Sequence, residues 1–149
     1  MSCSWSTTEL LSRFNRPANR QVVDYLVRHH PSAHSDVTTE MLLAAEDIAD
    51  KGVFCPDPQR FAYCLLHTPE GVIFALATGM SSLAFLLPAD AIDEALAEGA
   101  QAWPELGKRW VSFYPFDPEV PTETMRERLQ RWCRAARDHA LRPNLLDLS

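Results

Sequence analysis

The sequence predicts an α+β fold: a mixed, mainly antiparallel sheet of about four strands, packed with N-terminal helices and a long C-terminal helix. Three observations lead there. Apolar residues recur at helical spacing through the first fifty positions and again from about 122 to 139. Between them, short runs rich in aliphatic and aromatic residues are separated by Pro and Gly turn signals. Two of those runs are apolar on both alternations, which calls for cover on both faces of a sheet.

Ser6 and Glu9 have the spacing of a capping box, and Leu10, Leu11 and Phe14 give the short helix that follows an apolar stripe, ended by Pro17. Asn19 is placed to cap a second helix from Arg20 to about His30, where Val22, Val23, Leu26 and Val27 share a face and Pro31 stops it. A third helix is expected over roughly Val37 to Asp50, with Val37, Met41, Leu42, Ala45, Ile48 and Ala49 inward and Gly52 as its C-terminal cap. The prolines of Phe54-Cys55-Pro56-Asp57-Pro58 then break the pattern.

Phe61 to His67 and Val72 to Thr78 read as strands joined by the turn Thr68-Pro69-Glu70-Gly71, and Ser82 to Leu87 as a third strand after Gly79-Met80. A helix from Pro88 to about Glu98 points Ile92, Ala95 and Leu96 inward. Trp110 to Tyr114 is the fourth strand, and the helical crossover before it is long enough to set it parallel to the third. The last helix, Thr122 to His139, carries Met125, Leu129, Trp132, Cys133 and Ala136 on one face, with Glu127–Arg131 and Arg134–Asp138 as i,i+4 pairs. Residues past Pro143 are expected to be loose. The simplest organisation is one domain over 1–149, with a helical part at 1–52 and sheet plus helices at 60–139.

Composition narrows the class. With 46% hydrophobic and 23% charged residues the chain is an ordinary globular one. The charge-free stretch Gly71 to Ala89 could span a bilayer by length, but its polar centre, Thr78-Gly79-Met80-Ser81-Ser82, favours two strands and a turn. Cys3, Cys55, Cys64 and Cys133 form no CxxC and are read as free thiols; with no apolar leader in MSCSWSTTELLSR, the cytoplasm is the expected compartment. The net charge of −6 is unevenly spread: +2 over 1–35, −9 over 36–100 and +1 over 101–149. Such an acidic centre disfavours nucleic acid as a partner and favours a basic protein surface.

No residue set assembles convincing chemistry. His29, His30 and His34 straddle Pro31 and lack the one-face spacing of a metal site. Cys64 and His67 are three apart on a strand and point to opposite faces. Cys55-Pro56 is too short a match to a haem-binding dipeptide, and Gly79-Met80-Ser81-Ser82 lacks both nucleophile-elbow and phosphate-loop spacing. No catalytic residue, metal or cofactor is assigned. The suggestive surface is acidic: Glu40, Glu46, Asp47 and Asp50 surround Leu43 on the outer face of the third helix, and Asp90, Asp93, Glu94 and Glu98 face outward on the fourth. An apolar residue ringed by charge is how many interfaces are built. The expectation is therefore a non-enzymatic binding protein for a basic partner, of the kind represented by bacterial immunity proteins that mask a toxin. The rival is a small enzyme or ligand-binding domain with a pocket between sheet and C-terminal helix, lined by Trp110, Tyr114, Trp132 and His67 or His139.

Overall fold

Strands β3 (Ile73–Thr78) and β4 (Ser82–Leu86) are buried along their whole length save the first residue of β4. A hairpin with two apolar faces has to be covered on both, and the rest of the chain supplies the cover. A computed structural model describes residues 2–56 and 61–142, and of residues 2–7 the backbone alone. Around the hairpin lie α1 (Ser2–Arg13), α2 (Arg20–His29), α3 (Ser35–Ala44), β1 (Gly52–Phe54), β2 (Cys64–His67), α4 (Ile92–Ala97), β5 (Gln101–Ala102), β6 (Trp110–Phe113) and α5 (Thr122–Ala140). The α+β class expected from the sequence is the one observed.

The sheet has six strands in the order β1-β2-β3-β4-β6-β5, and every strand pair is antiparallel. Register fixes which residues share a face. Phe54, Leu65, Leu76, Ala84 and Ser112 are successive cross-strand partners on one face, and Leu66, Ala75, Phe85 and Val111 on the other. Phe14, just beyond α1, packs edge-on against Phe54 and His67, placing the N-terminal helices on the first face. The second face is covered by α3 and α5, with Trp132 stacked on Phe113.

Several expectations change. The sheet is not mixed, and it has two strands more than the four expected. The crossover through α4 does return a strand pointing the same way as β4, but that strand is the two-residue β5; the chain then reverses, and β6 inserts between them, antiparallel to both. α1 begins at Ser2, so Ser6 lies inside the helix and not at its cap. α3 ends at Ala44, short of Asp50, and Gly52 opens β1 where a helix cap was expected. Cys55 and Cys64 are joined by a disulfide, since the β1–β2 ladder that ends at Phe54 and Leu65 makes them the next facing pair. Cys133 is free and buried, and burial pushes its thiol up to about 12, so it stays protonated and inert. The residues past Pro143 and the Asp57-Pro58 part of the proline-rich loop lie outside the described residues. No helix among the described residues is long and apolar enough to cross a membrane.

Asn19 does more than precede α2. Its side chain makes no capping bond; buried, it donates from Nδ2 to the carbonyls of Phe14 (3.3 Å) and Gly71 (2.7 Å) and accepts at Oδ1 from the amide of Ile73 (2.9 Å). One side chain thus ties the end of α1 to the Thr68–Gly71 turn and to the start of β3. The turn is fixed in parallel by the Gly71 amide on the Thr68 carbonyl (2.9 Å) and the Val72 amide on the Thr68 hydroxyl (3.1 Å). Asn19→Leu keeps the branched shape but leaves three backbone groups without their partner, each costing roughly 1–3 kcal/mol. The expected loss is about 3 kcal/mol in urea denaturation, and a variant within about 0.5 kcal/mol of wild type would dismiss this hub.

Candidate functional site

The carboxylates singled out in the sequence split into two groups. Glu40 on α3 meets Arg126 (3.3 Å), Asp47 meets Arg134 (3.5 Å) and Asp50 meets Arg137 (3.3 Å), all three cations on α5. The partners lie 86, 87 and 87 positions apart, so this stretch of chain and α5 run side by side in parallel and in constant register. On the other flank of α5, Glu98 accepts from Arg131 and from the Trp132 indole (2.9 Å). Burial pushes the Glu98 carboxyl up, but these two hydrogen bonds and the charges of Arg131 and Arg128 outweigh it and hold the group below its usual range.

The basic surface that these four carboxylates meet is therefore in the same chain. Arg131 and Arg134 are drawn away from the i,i+4 partners expected for them. Glu46, Asp90, Asp93 and Glu94 remain exposed, without an ion pair among the described residues. Leu43 is half-buried, and Leu42, expected in the core, is the leucine that α3 exposes, because Ala44 takes an inward position.

The expected aromatic pocket does not form. Trp110 and Trp132 are both buried, Trp110 on the sheet face covered by α2 and Trp132 on the face covered by α5, while Tyr114 is exposed. Each of the two histidines offered as pocket residues has its Nε2 buried without a partner. His67 Nδ1 bonds the Thr68 carbonyl (2.8 Å), and its ring fills the space beside Gly52, where a Cβ would stand 2.1 Å from Cε1. His34 caps α3 by accepting from the Asp36 amide (3.1 Å), and His30 ends α2 in a left-handed conformation. No group of three His, Cys, Asp or Glu side chains poised to hold a metal is found among the described residues.

A different surface emerges at one end of the sheet, which sequence reasoning missed. The β3–β4 turn carries Met80; the facing pair Leu83–Phe113 brings Tyr114 beside it; and the segment Ser32–His34 lies between Gly79 and Phe61–Ala62, bonded to both. The side chains of Phe61 (58%), Met80 (71%), Tyr114 (51%) and Phe116 (38%) are exposed there. Phe61 adopts φ 56°, rare for an aromatic residue and held by the amide of Ala33 on its carbonyl. Phe116 contacts the Tyr114 ring and borders a cleft of about 410 Å³ that reaches Glu40 and Met125. The segments 31–36, 61–63, 79–82 and 114–121 hold Asp36, Asp117 and Glu119 and no lysine or arginine.

No family model, curated protein or solved structure matches this chain.

Two histidines make stability depend on pH. Burial, then Arg13, lowers the basicity of His67 against the raising effect of its bond to Thr68; burial, then Arg109 and Arg142, lowers that of His139 against Asp90. Both lie below the ordinary value of 6.5, so the unfolded chain binds protons first. Their contribution is whole above that value and is lost as pH falls from it toward the folded values; the depressed Glu98 carboxyl adds a second loss below its ordinary 4.5. Urea midpoints are expected to drop between about pH 7.5 and about pH 5.5, and to drop less in a His67→Asn, His139→Asn double variant. Identical slopes in the two proteins would refute the assignment.

Proposed function

We propose that this chain is a non-enzymatic protein-binding domain that receives a basic protein partner at the hairpin end of its sheet. The observation that carries the reading is the group of four exposed large apolar side chains, Phe61, Met80, Tyr114 and Phe116, together with the carboxylates Asp36, Asp117 and Glu119 on the segments described there; Arg60, which precedes Phe61, lies outside the described residues. Large apolar groups grouped at a surface mark sites of association. Aromatic residues and methionine are over-represented at the centres of interfaces, where charge at the rim sets orientation and on-rate. The partner's sign is the one expected from the sequence, while its seat moves: four of the eight carboxylates first considered are held by α5. A toxin neutralised by masking is one such partner. Glu46, Asp90, Asp93 and Glu94 would add long-range attraction without touching it.

Affinity capture with the wild-type chain and with a Met80→Asp, Tyr114→Asp variant of equal melting temperature tests the proposal. A basic protein retained in stoichiometric amount by the first, released by salt and absent from the second, is the expected result. A partner indifferent to both substitutions but lost on neutralising Glu46, Asp93 and Glu94 would return the interface to the helix faces and reject the sheet end. The compartment follows the state of Cys55 and Cys64. Their bond persists in an oxidising compartment, whereas the cytoplasm expected from the sequence holds such a pair as thiols. Alkylation at the moment of lysis decides: label on both cysteines keeps the cytoplasmic location, and an intact bond rejects it.

A further inference from the structure

At the opposite end of the strands, a cleft of about 670 Å³ opens between the start of α2 and the turn that leads into β6. Its floor is apolar, formed by the facing pair Leu86 and Trp110 and by Leu106. Three cations border it: Arg20, Lys108 and the half-buried Arg109. None has a carboxylate within ion-pair distance among the described residues, although the chain is acidic overall. Six arginines elsewhere, Arg13, Arg28, Arg126, Arg131, Arg134 and Arg137, are paired with carboxylates. Asp24 also borders the cleft, but its carboxylate is turned to Arg28 (3.5 Å).

Arg20 is misplaced by the local rules. It is the first residue of α2, where the helix dipole opposes a cation, and no acidic residue stands in that first turn to offset it. Like charges gathered without a counter-charge cost free energy in the empty protein and recover it when an anion arrives. Gln21 adds an amide whose Nε2 already donates to the Pro104 carbonyl (3.0 Å), tying the two walls together and fixing the cleft's width.

We propose that this cleft binds a small organic molecule bearing a phosphate group. Two guanidinium groups and an ammonium suit a group that carries close to two negative charges and three acceptor oxygens. The volume exceeds that of inorganic phosphate and lies in the range of small-molecule sites, so the Leu86–Trp110 floor is left to receive an apolar body. The site is separate from the surface at the other end of the sheet, and neither proposal depends on the other.

Calorimetric titration of the full chain with phenyl phosphate, against inorganic phosphate and citrate, is the test. Saturable one-to-one binding of phenyl phosphate, at least about tenfold tighter than either comparison anion, is expected. Arg109→Gln and Arg20→Gln should each weaken it by about tenfold or more, while Arg128→Gln on α5, also without an ion pair, should leave it unchanged. Melting curves of the variants without ligand, superimposable on wild type, separate lost binding from lost folding. Equal affinity for citrate, equal sensitivity to Arg128→Gln, or no saturable heat would each overturn the proposal. So would duplex DNA that competes with phenyl phosphate more strongly than inorganic phosphate does, because the cleft would then be part of a nucleic-acid surface.

Discussion

The constraint on which the structure depends is that β3 and β4 have no polar face. A two-stranded ribbon buried on both sides cannot lie at a surface, so helices must cover it twice over, and the three layers follow from that requirement alone. The first layer is brought in by Phe14 and by the buried amide of Asn19, which reaches from the end of α1 into the turn that starts β3. The second is α3 with α5, whose apolar stripe from Met125 to Ala140 lies toward the sheet. Polar detail then sets the register of what burial has assembled, because burial is non-directional and hydrogen bonds are not.

Charge in the sequence is not charge at the surface. The central block is strongly acidic and α5 is rich in arginine, and folding lays one along the other, so that Glu40, Asp47, Asp50 and Glu98 are answered within the molecule. Exposed pairs of this kind contribute little singly. Repeated at constant register, they instead define where α5 may sit along α3 and which way it points. The more informative features lie at the two ends of the sheet: Asp36, Asp117 and Glu119 with exposed aromatics at one, and three cations without an ion pair among the described residues around a cleft at the other.

Long periodic segments were legible. α2 and α5 lie within a residue or two of their expected bounds, and β3, β4 and the Thr68–Gly71 turn are where alternation and turn residues put them, while β2 starts at Cys64 and not at Phe61. Short elements were not, since β1 and β5 have three and two residues and no period can be read from so few. Missing β1 hid the facing of Cys55 and Cys64, which is a property of a ladder and not of spacing. The phase of α3 slipped by one residue because alanines on two faces make its stripe ambiguous, and Leu42 and Leu43 changed places. The sequence placed all eight carboxylates on helices, but α3 ends before Glu46, Asp47 and Asp50 and α4 before Glu98, and nothing in the sequence told that α5 returns beside four of the eight. Phe61 and Met80 stood in the sequence as strand and turn residues, and Gly107-Lys108-Arg109 as part of no element; only tertiary structure distinguishes an exposed aromatic from a core one, or brings Lys108 and Arg109 to the same cleft as Arg20.

The register between the 40–50 stretch and α5 also governs the order in which the protein can be made. Asp50 cannot find Arg137 until the 86 intervening positions have been synthesised and folded, and the whole sheet is contained in that interval. Until α5 has left the ribosome, one face of the β3–β4 ribbon is covered by α3 alone, and the apolar surface left exposed is of the kind that chaperones hold and aggregates form from. The nascent chain is thus at its stickiest before α5 emerges, and a truncation that removes α5 leaves that face of the sheet only partly covered.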